Sequence, residues 1–214
     1  MAVITISRQY GSGGDEIASR VCELLGYRYF DKRMMAQVAS EMGLSSKEVI
    51  DSQEERHEIL SFFDRLFGHK VMEARVSADE ASGTRTVEVG ELDSKRYVTM
   101  VRDLIQTAAQ QGDVVIMGRG GQVVLKDQPG VLHVRLVASF GERVRRVSEQ
   151  QRFSNPQAAR DFVAGRDRAA TDYLRAYYNV DWDDPTLYHL ELNTGLWDTE
   201  SAAQIIADAV KRLK

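Results

Sequence analysis

The sequence has little cysteine, proline or histidine: one Cys, three Pro and four His among 214 residues. The single cysteine, Cys22, forms no internal disulfide, and a cysteine-rich zinc site is excluded. The histidines are scattered at positions 57, 69, 133 and 189. Any metal ion is therefore expected to be held by oxygen ligands.

An excess of positive charge and a long hydrophobic run are also missing. The 28 Lys and Arg residues face 32 Asp and Glu, a formal net charge of −4, which argues against a dedicated nucleic-acid binder. No stretch approaches the roughly 20 apolar residues of a membrane span, and the run from Ala2 to Ile6 is too short for a signal-peptide core. We expect a cytoplasmic protein that binds neither nucleic acid nor membrane. A homodimer stays compatible with this composition.

What the sequence does contain is an alternation of short β-branched runs with stretches of helical periodicity. Strands are predicted at 3–7, 27–30, 114–117, 131–137 and 187–192. Helices are predicted at 15–25, 97–111, 140–151, 155–178 and 199–213. This order favours an α/β fold, with a parallel five-stranded sheet covered by helices on both faces. Residues 51 to 96 are rich in charged and small residues and indicate an insert or mobile arm.

The first predicted strand runs into a glycine-rich loop that ends directly before a helix. Backbone N–H groups converge on an anion in such a loop, and the helix N-terminus adds partial positive charge. We interpret Gly11, Ser12, Gly13 and Gly14 as a phosphate-binding loop. An ordinary tight turn is the alternative, since short glycine patterns are common.

Three segments resemble the cytidylate kinase-like family of P-loop proteins: Val3 to Gly14, Leu25 to Lys32 and Val115 to Gly120. The stretch from Leu132 to Arg146 is similar to that family's fourth strand and following helix, so the resemblance covers nearly the whole chain. It implies one three-layer α/β/α P-loop NTPase-like domain over residues 1–214. It also implies a helical acceptor-binding insert at about 44–96 and a lid-like segment at about 152–180.

The family resemblance implies ATP as phosphoryl donor, with Mg²⁺, and a nucleoside monophosphate such as CMP or dCMP as acceptor. Two alternatives stay open. One is a catalytically impaired nucleotide- or phosphate-binding module that acts as a sensor or partner protein. The other is a small-molecule kinase on the same fold.

Three positions depart from the family pattern. Gly14 stands where a full Walker A loop has its lysine, and Asp15 stands where it has the Mg²⁺-binding hydroxyl. Met117 replaces the Asp that many cytidylate kinases carry before the Gly-Arg pair. We expect Arg8 and Arg119 to supply the missing positive charge. Asp15 is predicted to hold Mg²⁺ or, alternatively, to act as a first-turn acid that stabilises the helix dipole.

The remaining site predictions each have a structural alternative. Asp31 is expected to bind the acceptor or to cap a helix, and Arg119, at the end of the third strand, to bind phosphate. Arg166 and Arg168 are expected to act as lid arginines on the transferred phosphoryl group, or to lie on a solvated helix face. Asn193 resembles the adenine-side loop of these kinases, although Asn-Thr-Gly is also ordinary turn chemistry. We interpret the arginines at 143, 145 and 146 as a surface face of their helix.

Overall fold

The structure is a computed structural model that describes residues 1–30, 75–78, 85–88 and 94–213. The chain divides into two compact units, Met1–Asp31 with Arg102–Lys214, and Lys32–Val101. In chain order the elements are β1 (Val3–Arg8), α1 (Gly14–Leu25), β2 (Arg28–Phe30), β3 (Arg75–Ala78), β4 (Arg85–Glu88), α2 (Ser94–Gln110), β5 (Val114–Met117), α3 (Gly121–Val124), β6 (Val131–Val137), α4 (Phe140–Gln150), α5 (Pro156–Tyr178), β7 (Leu190–Asn193) and α6 (Thr199–Val210).

Five strands of the first unit form one parallel sheet in the order β2-β5-β1-β6-β7. The central strand β1 pairs with β5 through Val3 and Val114, and with β6 through Val3 and Val131. The predicted α/β fold with a parallel five-stranded sheet is therefore confirmed. Because all strands run the same way, their carboxyl ends meet at one edge, where ligands of open α/β folds bind.

The two faces of this sheet differ in chemistry. One face packs against α1 and α6 with buried apolar side chains, among them Ile4, Ile6, Val134, Leu136 and Ile206. The other face carries buried polar side chains, which are Thr5, Ser7, His133 and Arg135. Helix α3 and the last turns of α5 lie on this second face, because Gly121 approaches Thr5 and Leu174 packs with Trp182. Helices on both faces give the three-layer arrangement.

The last strand begins later than the sequence predicts. Residues Pro185–Leu187 form a 3-10 helix, and β7 starts only at Leu190. The Asp184 carboxylate accepts a hydrogen bond from the Thr186 N–H at 2.9 Å, which caps this turn, and Pro185 suits its first position. The apolar character of Leu187 reflects burial beside Trp182 rather than strand pairing.

Within the predicted insert, residues 75–78 and 85–88 form strands, and helix α2 begins at Ser94. β3 and β4 pair antiparallel, with Arg75 opposite Glu88. Sequence patterns predicted no strands in this segment. The candidate acceptor residue Asp31 lies outside the described residues. None of the helices in the described ranges combines the length and apolar character that crossing a membrane requires.

Candidate functional site

The glycine loop between β1 and α1 is built from backbone conformations that favour glycine. Gly11 has φ 81°, and Gly13, the residue that caps α1, has φ 76°. A Cβ at Gly11 would lie 2.8 Å from the Arg143 carbonyl oxygen and 2.8 Å from a methyl group of Val147. Gly13 makes no side-chain cap, so the first turn of α1 presents its backbone N–H groups to the loop.

Arg8 occupies the space in which a lysine at position 14 would begin. A Cβ at Gly14 would lie 2.8 Å from Cγ of Arg8 and 3.0 Å from its Cβ, and neither atom is the flexible end of that side chain. The Arg8 guanidinium lies 3.7 Å from the Asp15 carboxylate, which also accepts a hydrogen bond from the Tyr29 hydroxyl at 3.3 Å. The positive charge of Arg8 is therefore partly offset by its neighbour.

A buried arginine connects the glycine loop to α5. Arg143 donates to the Tyr10 carbonyl at 3.0 Å and to the Asp167 carboxylate at 2.6 Å. The other Asp167 oxygen accepts from the Tyr10 N–H at 2.9 Å. Arg143 is only 5% exposed, so its interpretation as a surface residue was wrong. Its side chain turns back toward the loop because the Ala138 carbonyl also accepts from its Nε at 3.0 Å.

Arg146, one turn further along α4, reaches the same loop from another side. Its Nη1 lies 3.7 Å from where a Cβ of Gly13 would be. It donates to the Thr194 carbonyl at 2.7 Å, and the Thr194 hydroxyl donates to the Ser12 carbonyl at 2.7 Å. The surface interpretation holds for Arg146 only in part, since 25% of its side chain is exposed. Arg145, on the same helix, is exposed as predicted.

Glu142 supplies negative charge beneath these arginines. Hydrogen bonds from Arg145, together with the charges of Arg145 and Arg146, lower the pKa of the Glu142 carboxyl from 4.5 to about 2. The carboxylate therefore stays ionised at neutral pH. It holds Arg146 through Nε at 3.0 Å.

The end of β5 forms the second wall of the site. Gly118, Arg119 and Gly120 have φ values of 68°, 56° and 74°, so the chain makes a left-handed turn in which Arg119 is the one residue with a side chain. Nη1 of Arg8 lies 3.1 Å from where a Cβ of Gly118 would be. The Arg119 carbonyl accepts from the Tyr178 hydroxyl at 3.5 Å. β1 and β5 thus bring Arg8 and the Arg119 backbone to one edge, as neighbouring parallel strands must.

The other predicted residues fall in different environments. The Arg166 guanidinium lies 5.7 Å from the ring centre of Tyr10 and 5.1 Å from that of Phe162, so it is next to the glycine loop. Arg168 is exposed. Asn193 uses its side chain to accept from the Gly195 N–H at 3.0 Å, which is the turn chemistry named as its alternative.

Two observations bear on ligands. The Ser12 side chain is 1% exposed, and its hydroxyl has no hydrogen-bond partner in the described part of the chain. A buried hydroxyl without a partner is costly unless a ligand or water satisfies it. Among the described residues, no cluster of three or more His, Cys, Asp or Glu side chains is placed to hold a metal ion.

Sequence reasoning missed Arg143, Arg146, Asp167 and Thr194. The signal was present for the two arginines. They stand three residues apart, and thus on one helix face, in the helix that follows β6, the strand next to β1. Asp167 and Thr194 carried no such signal, because their contacts depend on how α5 and β7 approach the loop.

Comparisons with known proteins identify a family. The model of the cytidylate kinase-like family matches residues 3–196. A cytidylate kinase from Methanothrix thermoacetophila is 26% identical over 214 residues, which cover 99% of both chains. One from Methanocaldococcus jannaschii is 25% identical with the same coverage. One from Halobacterium salinarum is 30% identical over 58% of this chain and 63% of its own.

Solved structures agree on the fold. An uncharacterized protein from Eubacterium ventriosum superimposes with a TM-score of 0.65 at 17% identity, covering 99% of both chains. A shikimate kinase from Bacteroides thetaiotaomicron superimposes with a TM-score of 0.52 at 13% identity, covering 98% of both chains.

Proposed function

Since this chain belongs to the cytidylate kinase-like family, we propose that it transfers the γ-phosphoryl group of ATP to a nucleoside monophosphate. CMP or dCMP is the proposed acceptor, because curated relatives that cover the whole chain are cytidylate kinases. One structural observation carries the proposal. A glycine loop at the carboxyl edge of the parallel sheet is bordered by the side chains of Arg8, Arg146 and Arg166.

The proposed transfer needs positioning and neutralisation of charge more than proton transfer. An oxygen of the acceptor phosphate, already an anion, attacks the γ-phosphorus in line. The new O–P bond forms as the bond to the β–γ bridging oxygen breaks, and ADP leaves with that electron pair. In this proposal Arg8 and Arg119 neutralise charge that develops on the transferring group, and Arg166 and Arg168 approach from the lid side.

The donor set fits a magnesium ion that is bound mainly by the nucleotide. Mg²⁺ accepts one or two carboxylates together with phosphate oxygens and water, and Asp15, in the first turn of α1, is the proposed protein ligand. Held by Asp15 and the nucleotide, such an ion would supply positive charge next to the donor phosphates. Asp15 would then contact the ion in place of part of its contact with Arg8, which lies 3.7 Å away. The Asp15 side chain is 69% exposed and therefore accessible to an ion.

The proposed acceptor pocket begins where β2 ends. Asp31 follows this strand directly, and we propose that it binds the ribose hydroxyl or the base amino group of the acceptor. Asn193 is proposed on the adenine side of the donor. Both assignments come from the resemblance of their segments to the family.

The test is an acceptor survey with the purified full chain. Protein, Mg-ATP and one acceptor at a time (CMP, dCMP, UMP, AMP, GMP, then hydroxylated small molecules) are incubated, and ADP and the phosphorylated product are quantified by chromatography. We expect ADP to form fastest with CMP or dCMP. Preference for a hydroxylated small molecule would instead indicate another kinase of this fold, and no ADP with any acceptor would overturn the transfer proposal.

Two glycine variants test whether the loop is needed for ADP formation. Gly13→Val adds a branched side chain where φ is 76°, and it should abolish ADP formation. Gly141→Ala is the matched control, since in the described part of the chain the added Cβ meets nothing within 4 Å beyond its chain neighbours and the backbone of its own helix. Circular dichroism checks that both variants fold.

One observation favours a second function, a nucleotide-binding protein without transfer. Gly14 offers no cation, and the charge of Arg8 is partly offset by Asp15. ATP binding by calorimetry without ADP formation in the survey would support this function.

A further inference from the structure

We propose that Asp167 is a positioning residue, whose carboxylate anchors α5 to the glycine loop and thereby holds the neighbouring Arg166 in reach of the terminal phosphate of the donor nucleotide. This inference rests on the proposed function, because it concerns how a lid arginine of that same site is placed. Asp167 itself contacts no nucleotide in this proposal and acts through Arg166.

Both oxygens of the Asp167 carboxylate are bound at the glycine loop. Oδ2 accepts from Nη1 of Arg143 at 2.6 Å, and Oδ1 accepts from the Tyr10 N–H at 2.9 Å. Nη1 of Arg143 also donates to the Tyr10 carbonyl at 3.0 Å. The two side chains thus hold both backbone polar groups of one loop residue. A shift or rotation of α5 relative to the loop would break this closed set of bonds.

Arg143 gives this anchor a fixed base. Its side chain is buried, and its Nε donates at 3.0 Å to the carbonyl of Ala138, the residue that follows β6. The Asp167 side chain is 21% exposed, so water reaches the ion pair only in part. A short charge-assisted hydrogen bond between partly buried groups is stronger than an exposed surface pair. The anchor therefore ties α5 to the edge of the sheet as well as to the loop.

Arg166 lies over the same loop residue that Asp167 holds. Its guanidinium is 5.7 Å from the ring centre of Tyr10 and 5.1 Å from that of Phe162, one turn earlier on α5. The edge of one of these two rings meets the face of the other, with ring centres 5.4 Å apart. The place of Arg166 at the site therefore depends on how α5 is aligned with Tyr10, and the Asp167 bonds fix that alignment.

The distribution of charge supports the same assignment. Asp167 is the chain neighbour of Arg166, but its carboxylate is directed to Arg143. Arg166 makes no ion pair within the described part of the chain, whereas Arg8 lies 3.7 Å from the Asp15 carboxylate. A guanidinium that keeps its full charge suits an anionic phosphate. The pair with Arg143 also neutralises a carboxylate that would otherwise repel phosphate near the loop.

The experiment measures ATP and ADP affinity by calorimetry in the full chain, with Mg²⁺ and without any acceptor. The ratio of the ADP to the ATP dissociation constant reports how tightly the terminal phosphate is held. We expect Arg166→Ala to lower this ratio at least about fivefold, because a charged contact is lost. Asp167→Asn keeps the shape of the side chain but removes its charge, and should lower the ratio to a similar extent, because Arg166 is misplaced.

An acid elsewhere on the same helix provides the matched control. Asp161 is exposed, and its carboxylate accepts a hydrogen bond from the side-chain amide of Gln157 at 2.7 Å. Asp161→Asn removes the same charge from α5 without touching the loop. The ratio of dissociation constants should stay at the parent value in this variant.

A double variant separates positioning of Arg166 from general support of the loop. If Asp167 acts through Arg166, the ratio in Arg166→Ala combined with Asp167→Asn should be no lower than in Arg166→Ala alone. Two losses that multiply would show that Asp167 acts independently of Arg166, and would overturn the inference. So would an Asp167→Asn variant that loses ATP and ADP affinity equally, because such a loss indicates a distorted loop.

The single variant leaves the buried Arg143 without its counter-charge, which can destabilise the fold. Circular dichroism checks this. If Asp167→Asn does not fold, Arg143→Met combined with Asp167→Asn removes both charges, and the same ratio is measured in that protein. A ratio reduced as in Arg166→Ala supports the inference, and a ratio equal to that of the parent overturns it.

Failure of this inference and failure of the proposed function are separable. Where the parent phosphorylates a monophosphate, kcat of Asp167→Asn should fall about tenfold while the KM for the acceptor changes less than about twofold. A parent-like kcat and ratio in this variant overturn the inference alone. A ratio that depends on Arg166 and Asp167 without any turnover supports the inference and overturns transfer. A parent that binds neither nucleotide overturns both.

Discussion

The two faces of the five-stranded sheet bury their side chains to a similar degree, and one of them buries polar groups as well as apolar ones. On the face that packs against α1 and α6, Ile4 and Val134 are each 0% exposed. On the other face, Thr5 and His133 are 1% and 2% exposed. Apolar side chains need only area removed from water, whereas each buried polar group needs a specific partner. The first face therefore sets the stability of the sheet, and the second restricts which residues can be placed together.

The largest expected effect tests the apolar face. Ile4→Ala in the central strand should lower the free energy of unfolding by about 3 to 4 kcal/mol, because transfer energy is lost and a cavity is left between packed layers. Urea denaturation measures it. Ile4→Val is the matched control and should cost about 1 kcal/mol. A loss below that of the valine control would mean that this face is not close-packed.

The next prediction concerns the buried positive charge of Arg135 on the polar face. Arg135 is 5% exposed and pairs with Asp183 and Glu191, and its guanidinium lies 5.4 Å from the ring centre of Trp182. Arg135→Ala should cost about 2 to 3 kcal/mol, since the ring loses its contact. Arg135→Met should cost less, because both carboxylates are exposed enough to return to water. Equal costs would show that the ion pairs themselves dominate.

A smaller effect concerns pH on the same polar face. Burial, and then the charge of His189 stacked 4.8 Å away, lower the pKa of His133 from 6.5 to about 4. Between these values the unfolded chain binds more protons than the folded one, so stability falls as pH decreases. From pH 7.5 to pH 5 this group should remove about 1 to 2 kcal/mol, measured by urea denaturation.

A variant that lacks only His133 isolates the contribution of this residue to the pH dependence. His133→Asn keeps a polar atom for the Thr5 hydroxyl, which lies 2.8 Å from Nδ1 of the histidine. The difference in stability between the two pH values should be smaller in this variant than in the parent. An unchanged difference would assign the acid sensitivity to other groups.

The smallest effect concerns the end of the apolar row, where Arg8 follows Ile4 and Ile6 on the same side of β1. Gly14→Lys restores the Walker A lysine, but its Cβ would lie 2.8 Å from Cγ of Arg8. We expect a cost of about 1 kcal/mol and no gain in turnover. Combining it with Arg8→Ala should recover the stability. A single variant that is stable and faster would show that Arg8 moves aside easily.

The elements that carried strong local patterns were predictable from sequence. Strands β5 and β6 were predicted with their observed bounds. The helix predicted from residue 155 corresponds to α5, whose N-cap Asn155 accepts a hydrogen bond from the Ala158 N–H at 2.9 Å. Local chemistry decides such features. The strand predicted from Leu187 was wrong in its first residues, because an apolar residue buried in a turn has no pattern of its own.

The site was only partly predictable, for a different physical reason. The position of the glycine loop and of Arg8 could be predicted, because both lie in the short segment where β1 ends and α1 begins. The contacts of Arg143 and Arg146 depend on the angle at which α4 passes the loop, which no short stretch of sequence determines. The Asp31, Arg168 and Asn193 roles stay predictions.

The glycine loop is shaped by residues that are far away in the chain, and this affects the order of events during synthesis. Ser12 and Thr194 are 182 residues apart, and Tyr10 and Asp167 are 157 apart. On the ribosome, β1 emerges early and waits with both edges unpaired until β5 and then β6 follow. Pairing of this kind is slow and exposes strand edges. If the loop binds phosphate as proposed, nucleotide affinity is acquired only after Asp167 and Thr194 have been made, long after the loop itself.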